Sequence, residues 1–162
     1  MEFREFVSVA WETPAKAQGL ARMDKRLLGI RNVAGETPLH YLSIENRIDS
    51  VRALVDVGAD VNAQDLNGST PLMHAIQLGY VQLVDYFLDI GASIECKTVD
   101  GDTALTQAVA KDRLEIVKKM LKLVKGNIND YFGPVSAMDI CDNPNTESRR
   151  LVLDLGIRNP YE

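Results

Sequence analysis

The sequence predicts an all-α solenoid in which short helix–turn–helix units stack on one another and carry projecting hairpin loops. Two observations predict this class. A stretch of nine residues recurs along the chain, and each of its three clear copies is followed by a second helical pattern. Neither helix of such a unit can bury its apolar side alone. Each unit therefore has to pack against its neighbours.

The recurring stretch marks the start of the first helix in each unit. It reads GETPLHYLS from Gly35, GSTPLMHAI from Gly68 and GDTALTQAV from Gly101, so the copies begin 33 residues apart. A hydroxyl residue in each copy can accept a hydrogen bond from an unpaired N–H at a helix start, and the next position tolerates proline. A weaker fourth copy follows one period later. First helices are predicted to begin near Thr37, Thr70, Thr103 and Ser136.

A second apolar pattern follows each clear copy and predicts the second helix. Its residues have the spacing i, i+3, i+4, which places them on one helix face. They are Val51, Leu54 and Val55, then Val84, Phe87 and Leu88, then Val117, Met120 and Leu121. Gly58 and Gly91 come soon after the first two of these patterns. Glycine is the usual left-handed residue after a last helical turn, so these helices are predicted to end there.

Both ends of the chain have the pattern of capping units. Near the N-terminus, apolar residues at helical spacing are followed by Thr13–Pro14, which has the form of another helix start. The apolar residues are Phe3, Phe6, Val7 and Ala10. At the other end Leu151, Val152 and Leu155 precede Gly156 and predict a last helix.

With GETPLHYL, and with GADVNAQDLNG from Gly58 to Gly68, the chain resembles the ankyrin repeat, whose period and T-P-L-H signature both match. The resemblance is close over residues 35–123. It implies a single domain with an N-terminal capping repeat at 1–34 and a degenerate capping repeat at 134–162. The three full repeats lie at 35–67, 68–100 and 101–133. It also implies that His40 braces the turn between repeats, and that loops and first helices line a concave surface for binding other proteins.

The composition excludes several classes of function. The chain has 162 residues, 46% of them hydrophobic, and a net charge of -5, which argues against a nucleic-acid interface with its basic stripe. Cys96 and Cys141 are too few for a disulfide framework. No stretch is long and apolar enough to cross a bilayer, and no basic amphipathic helix is evident. We expect a cytoplasmic monomer that needs no cofactor and binds neither nucleic acid nor membrane.

No constellation of residues predicts catalysis. The sequence has no glycine-rich phosphate loop, no G-x-S-x-G or H-E-x-x-H motif and no Cys/His cluster. His74 faces either a neighbouring first helix or the concave surface, and its sequence neighbours supply no nucleophile or metal partner. Asp100 and Asp102 are explained by a loop tip and a helix start, where a carboxylate meets the helix dipole. We therefore expect no enzyme and no metal site.

Positions that differ between repeats are the candidates for partner binding, because core positions recur. They are Val33, Glu36, Glu45, Leu66, Asn67, Ser69, Gln77, Leu78, Val99, Asp100, Asp102, Lys111, Tyr131 and Phe132. Apolar residues lie at or near successive loop tips among acidic residues, as in an interaction patch with a polar rim. The partner is expected to carry a basic patch. The alternative is that each leucine or valine packs sideways on the adjacent loop, and that Tyr131 and Phe132 close the last repeat.

Three functions remain open at this point. The first is a non-catalytic module that binds a partner protein and inhibits or masks it, with an immunity-type inhibitor of a toxin or enzyme as one form. The second is a self-associating scaffold. The third is an enzyme with an unrecognised site.

Overall fold

The computed structural model describes residues 1–161, and over these residues the chain forms ten α-helices, two short 3-10 helices and no β-strand. The α-helices are α1 Phe3–Glu12, α2 Pro14–Met23, α3 Pro38–Ile44, α4 Ile48–Asp56, α5 Pro71–Leu78, α6 Val81–Asp89, α7 Ala104–Ala110, α8 Leu114–Leu121, α9 Pro134–Asp142 and α10 Glu147–Asp154. The 3-10 helices are Lys25–Leu28 and Ile128–Tyr131. The elements form two compact units, Met1–Ala92 and Ser93–Glu162.

Three of the four predicted helix starts are confirmed. Thr37, Thr70 and Thr103 are the N-cap residues of α3, α5 and α7. Thr70 accepts a hydrogen bond from the Met73 N–H through its hydroxyl, at 3.4 Å. The recurring hydroxyl residue therefore satisfies an N–H that the helix itself leaves unpaired.

The fourth predicted helix does begin near Ser136, but Ser136 is not its N-cap. Helix α9 begins at Pro134 with Gly133 as its N-cap, so Ser136 lies inside the first turn. Proline has the backbone angle of a first helical residue and no N–H to satisfy, which favours a start there. The Ser136 hydroxyl instead donates to Asp102 Oδ2 at 2.8 Å.

The second helices end at glycine as predicted. After α4, Gly58 has a φ of 93° and donates to the Val55 carbonyl at 2.9 Å, and Ala59 donates to the Leu54 carbonyl at 3.0 Å. This pair of bonds is the Schellman ending, which requires a left-handed residue at the glycine position. The same pair of bonds recurs at Gly91 and Gly156.

The first helices also end at left-handed residues, which the sequence analysis did not predict. Asn46, Gly79 and Asp112 have φ of 54°, 77° and 48°, and they lie one period apart. Asparagine, aspartate and glycine are the residue types that tolerate this conformation. The turn inside each repeat is therefore set by one position of the 33-residue pattern.

In the first unit, α3 packs on α5, α2 packs on α4, and α1 packs on α2 and α3. Large apolar side chains of this unit are at most 1% exposed: Phe6, Leu39, Leu42, Leu54, Leu72, Ile76, Leu83 and Phe87. Burying one such side chain stabilises the fold by about 1.5–3 kcal/mol. Ser50 fastens the N-terminal helices by donating to the Ala10 carbonyl at 2.6 Å, and the Arg47 guanidinium lies 4.6 Å from the centre of the Trp11 ring.

In the second unit, α10 packs against α7, α8 and α9. The fully buried side chains of this unit include Leu105, Val109, Val117, Met120 and Val152. Helices of both units are short. None of those described for residues 1–161 combines the length and the apolar character needed to cross a bilayer.

Candidate functional site

The hairpin loops have one recurring geometry. The backbone N–H of Asn32 donates to the Glu36 carbonyl at 3.1 Å, and that of Asp65 donates to the Ser69 carbonyl at 3.0 Å. The corresponding bond in the second unit joins Thr98 to Asp102 at 2.8 Å. Side-chain oxygens of Asn32 and Asp65 also accept two backbone N–H groups each. The loops are therefore braced at their bases and present the next two residues at their tips.

The tips expose apolar side chains. Val33 is 100% exposed, Leu66 is 71% exposed and Val99 is 73% exposed. Leu66 also contacts the neighbouring loop, because its N–H donates to the Ala34 carbonyl at 3.1 Å. The Leu66 backbone is thus bonded to the neighbouring loop while the residue remains largely exposed. Asn67 and Asp100, the other tip residues, are exposed as well.

The predicted binding residues on the first helices differ in their exposure to solvent. Glu45, Leu78 and Lys111 are exposed at the ends of α3, α5 and α7, and Gln77 is half-buried. Glu36 is half-buried at the base of the first hairpin loop.

Three of the predicted binding residues are buried, which corrects their assignment. Tyr131, Phe132 and Ser69 are 3%, 6% and 7% exposed. Residues Ile128–Tyr131 form a 3-10 helix where the earlier repeats have a hairpin loop, and this turns both aromatic rings inward. The Tyr131 carbonyl accepts from the Thr103 and Thr106 hydroxyls at 2.6 and 2.8 Å. These residues hold the fold and do not form a surface.

Asp102 is a helix cap and not a free acidic contact, a second correction. Its Oδ1 accepts from the Gly133 N–H at 2.9 Å and its Oδ2 from the Ser136 hydroxyl at 2.8 Å. Both oxygens are therefore engaged at the N-terminus of α9, where negative charge is favourable.

His40 has the bracing role that the resemblance implies. It is fully buried, its Nδ1 accepts from the Thr37 N–H at 3.2 Å, and its Nε2 donates to the Ser69 carbonyl at 3.0 Å. Burial lowers the pKa of His40, and the Ser69 carbonyl opposes that shift. The ring is accordingly neutral and joins the first helix of one repeat to the loop before the next.

His74 has partners that its sequence neighbours did not reveal. Its Nε2 lies 3.0 Å from Asp65 Oδ2, and ligand atoms of Glu36, Asp65 and His74 all lie within 4.8 Å of one another. The side chains of His74 and Asp65 are 17% and 4% exposed. His74 therefore has two acidic neighbours in space, Glu36 and Asp65, that its neighbours in the sequence do not reveal. The missed signal is the stacking of adjacent repeats, which brings residues of neighbouring loops together.

An aromatic groove on the first unit was also missed. It has a volume of about 750 Å³ and lies beside α1, α3 and the first hairpin loop. Its apolar lining is Phe3, Val7, Trp11, Val33 and Tyr41. The Phe3 and Tyr41 rings meet edge to face with centroids 6.2 Å apart. The fully exposed tip residue Val33 is thus part of a larger apolar surface.

Family comparison agrees with this architecture of helix–turn–helix repeats and projecting loops. The family described as "Ankyrin repeat" matches residues 34–66, and the one described as "Ankyrin repeats (3 copies)" matches residues 57–131. The chain belongs to the ankyrin-repeat proteins and has their all-α solenoid fold. Ankyrin repeats typically form non-catalytic modules that mediate protein–protein interaction. No curated protein matches the chain.

Proposed function

We propose that the chain is a non-catalytic module that binds a partner protein through a surface on its first unit. That surface, the tip–groove surface, consists of Val33, Leu66, Phe3, Trp11 and Tyr41. The proposal rests on one observation: the exposed loop-tip residue Val33 adjoins an aromatic groove. Apolar anchors in a groove supply most of the binding energy in protein interfaces, and Trp and Tyr are enriched among them.

The net charge of the chain supports a partner with basic residues. Glu2 and Arg4 line the groove with opposite charges, and Glu36 lies at the base of the first loop. The chain as a whole has a net charge of -5. Complementary charge on the partner would speed encounter and exclude wrong partners.

Exposed residues of the second unit are proposed as additional contacts. They are Val99, Asp100 and Lys111. We further propose that the protein acts as a cytoplasmic monomer, contacts neither nucleic acid nor membrane, and inhibits or masks its partner by occupying it. An immunity-type inhibitor of a toxin or enzyme is one such role, and a self-associating scaffold is the alternative.

Affinity capture with matched variants tests the surface. The double variant Val33→Glu, Leu66→Glu places two charges on the tip–groove surface, and Val81→Glu places one on an exposed valine at the start of α6. A partner retained by the wild type and by Val81→Glu, and lost by the double variant, would support the proposal. Equal retention by all three proteins would contradict it. Retention of the chain itself, with a doubled mass in solution, would favour the scaffold.

A further inference from the structure

We propose that Glu36, Asp65 and His74 form a binding site for one Zn²⁺ ion between two successive hairpin loops of the first unit. The three residues come from two repeats: Glu36 lies at the base of the first loop, Asp65 begins the second, and His74 lies in α5. This site goes beyond protein binding, and it does not depend on the tip–groove surface.

The spacing of the donor atoms fits a small metal ion. Zn²⁺ binds imidazole nitrogen and carboxylate oxygen at about 2.0–2.2 Å, so its tetrahedral ligands lie roughly 3.3–3.6 Å from one another. His74 Nε2 and Asp65 Oδ2 are already 3.0 Å apart, and the full set lies within 4.8 Å. Closing the set requires the carboxylate of Glu36, which is half-buried, to approach the other two ligands.

The chemistry of the donors selects the class of ion. One imidazole with two carboxylates is a nitrogen and oxygen set, which suits Zn²⁺, whereas Mg²⁺ and Ca²⁺ prefer oxygen alone. Three protein ligands leave one tetrahedral position open. His74 retains 17% exposure of its side chain, so water can reach the cluster.

Neighbouring groups orient the two carboxylates. Asp65 Oδ1 accepts from the Asn67 and Ser69 N–H groups at 2.8 and 2.9 Å, which leaves Oδ2 directed at His74. Glu36 Oε2 accepts from Asn32 Nδ2 at 2.6 Å. Hydrogen bonds of this kind to the ligands are the usual support of a metal site.

Charge is compatible with a cation at this place. Carboxylate oxygens of Glu36 and Asp65 lie within 4.8 Å of each other, and the Asp65 side chain is 4% exposed. A metal ion between the loops would neutralise both. It would also clip the two repeats together.

Calorimetric titration of ZnCl₂ into the chelator-treated, tag-free protein tests the site. The measurement uses a Cys96→Ser, Cys141→Ser background, so that the two thiols cannot bind the metal. We expect one ion per chain, and a melting temperature that rises by several degrees with Zn²⁺. Mg²⁺ at the same concentration should have no effect.

Variants separate a metal site from a hydrogen-bonded brace. Glu36→Gln leaves the His74–Asp65 pair intact, and His74→Gln removes the imidazole; each should weaken Zn²⁺ binding at least tenfold. Glu45→Gln changes an exposed acid outside the cluster and should bind as the wild type does. If His74→Gln fails to fold, Glu36→Gln alone decides the question. Absence of saturable binding in the parent protein, or equal binding by Glu36→Gln and the parent, would overturn the proposal.

Discussion

His40 Nε2 donates to the backbone carbonyl of Ser69 across 3.0 Å, and this bond joins the first helix of one repeat to the loop that precedes the next. The second unit has an equivalent link with different chemistry. There the Thr106 hydroxyl, at the same helical position as His40, donates to the Tyr131 carbonyl at 2.8 Å. A buried carbonyl without a donor is costly, so each link contributes to holding successive repeats together.

We expect His40→Ala to destabilise the protein by about 2–4 kcal/mol, because it opens a cavity and leaves the Ser69 carbonyl without its donor. Urea unfolding measures the change. Glu45→Ala, in an exposed position at the end of the same helix, is the control and should change stability by less than about 0.5 kcal/mol. Equal effects of the two substitutions would show that His40 does not brace the repeats.

A pair of leucine substitutions tests the assignment of core and tip. Leu105→Ala, in α7, should cost about 2–5 kcal/mol because Leu105 is fully buried. Leu66→Ala makes the same chemical change at a residue that is 71% exposed, and should cost less than about 1 kcal/mol. A large loss on the second substitution would make Leu66 a core residue and remove it from the tip–groove surface.

Two glycines should respond to alanine with opposite signs. A Cβ at Gly133 would lie 2.4 Å from the Asp100 carbonyl oxygen and 2.7 Å from Asp102 Oδ1, so Gly133→Ala should displace the loop that caps α9 and destabilise the fold. A Cβ at Gly19, inside α2, would meet nothing within 4 Å. Gly19→Ala should therefore stabilise by up to about 1 kcal/mol. Thermal unfolding compares them, and a neutral Gly133→Ala would contradict the packing described.

Because of Asp112, the stability of the folded protein should depend on pH in the acidic range. Ser148 lowers the pKa of the Asp112 carboxyl, since its backbone N–H donates to Asp112 Oδ1 at 3.2 Å, and Thr146 and Arg149 act in the same direction. The Asp112 carboxyl therefore binds a proton more readily in the unfolded chain than in the folded one. The stability that ionised Asp112 contributes is present above the ordinary pKa of 3.8, and it is lost as the pH falls through the lower pKa of the folded protein.

Asp112→Asn is the variant that tests this dependence. Asparagine keeps the left-handed conformation at a φ of 48° and removes the charge. Because Asp112 is exposed, the effect at neutral pH should be below about 1 kcal/mol. Urea unfolding from pH 6 to pH 3 should show the wild type and the variant converging in stability. A difference that stays constant over this range would contradict the assignment.

The parts of the fold that local chemistry determines were predictable. Thr70 with Pro71 specifies a helix start, and Gly58 specifies a helix end, without reference to the rest of the chain. The fourth repeat was not predictable in the same way. Its loop forms a 3-10 helix and Pro134 moves the helix start, so Tyr131 and Ser136 have roles that the period alone does not indicate.

The candidate site was predictable only in part. Exposed tips such as Val33 and Leu66 follow from their place between the loop-bracing residues. The cluster of Glu36, Asp65 and His74 depends on contacts between residues that are well separated in the sequence. Such contacts require the stacking of adjacent repeats, which a search for local motifs does not examine.

Site-specific photo-crosslinking in cells tests most directly whether the tip–groove surface is where this protein binds its partner. A photoreactive residue is placed at Val33, and in a separate protein at Val81, which is 52% exposed on α6. We predict a discrete crosslinked species of higher mass from position 33 and none from position 81. Crosslinking from position 81 alone, or from both positions equally, would contradict the assignment of the binding surface.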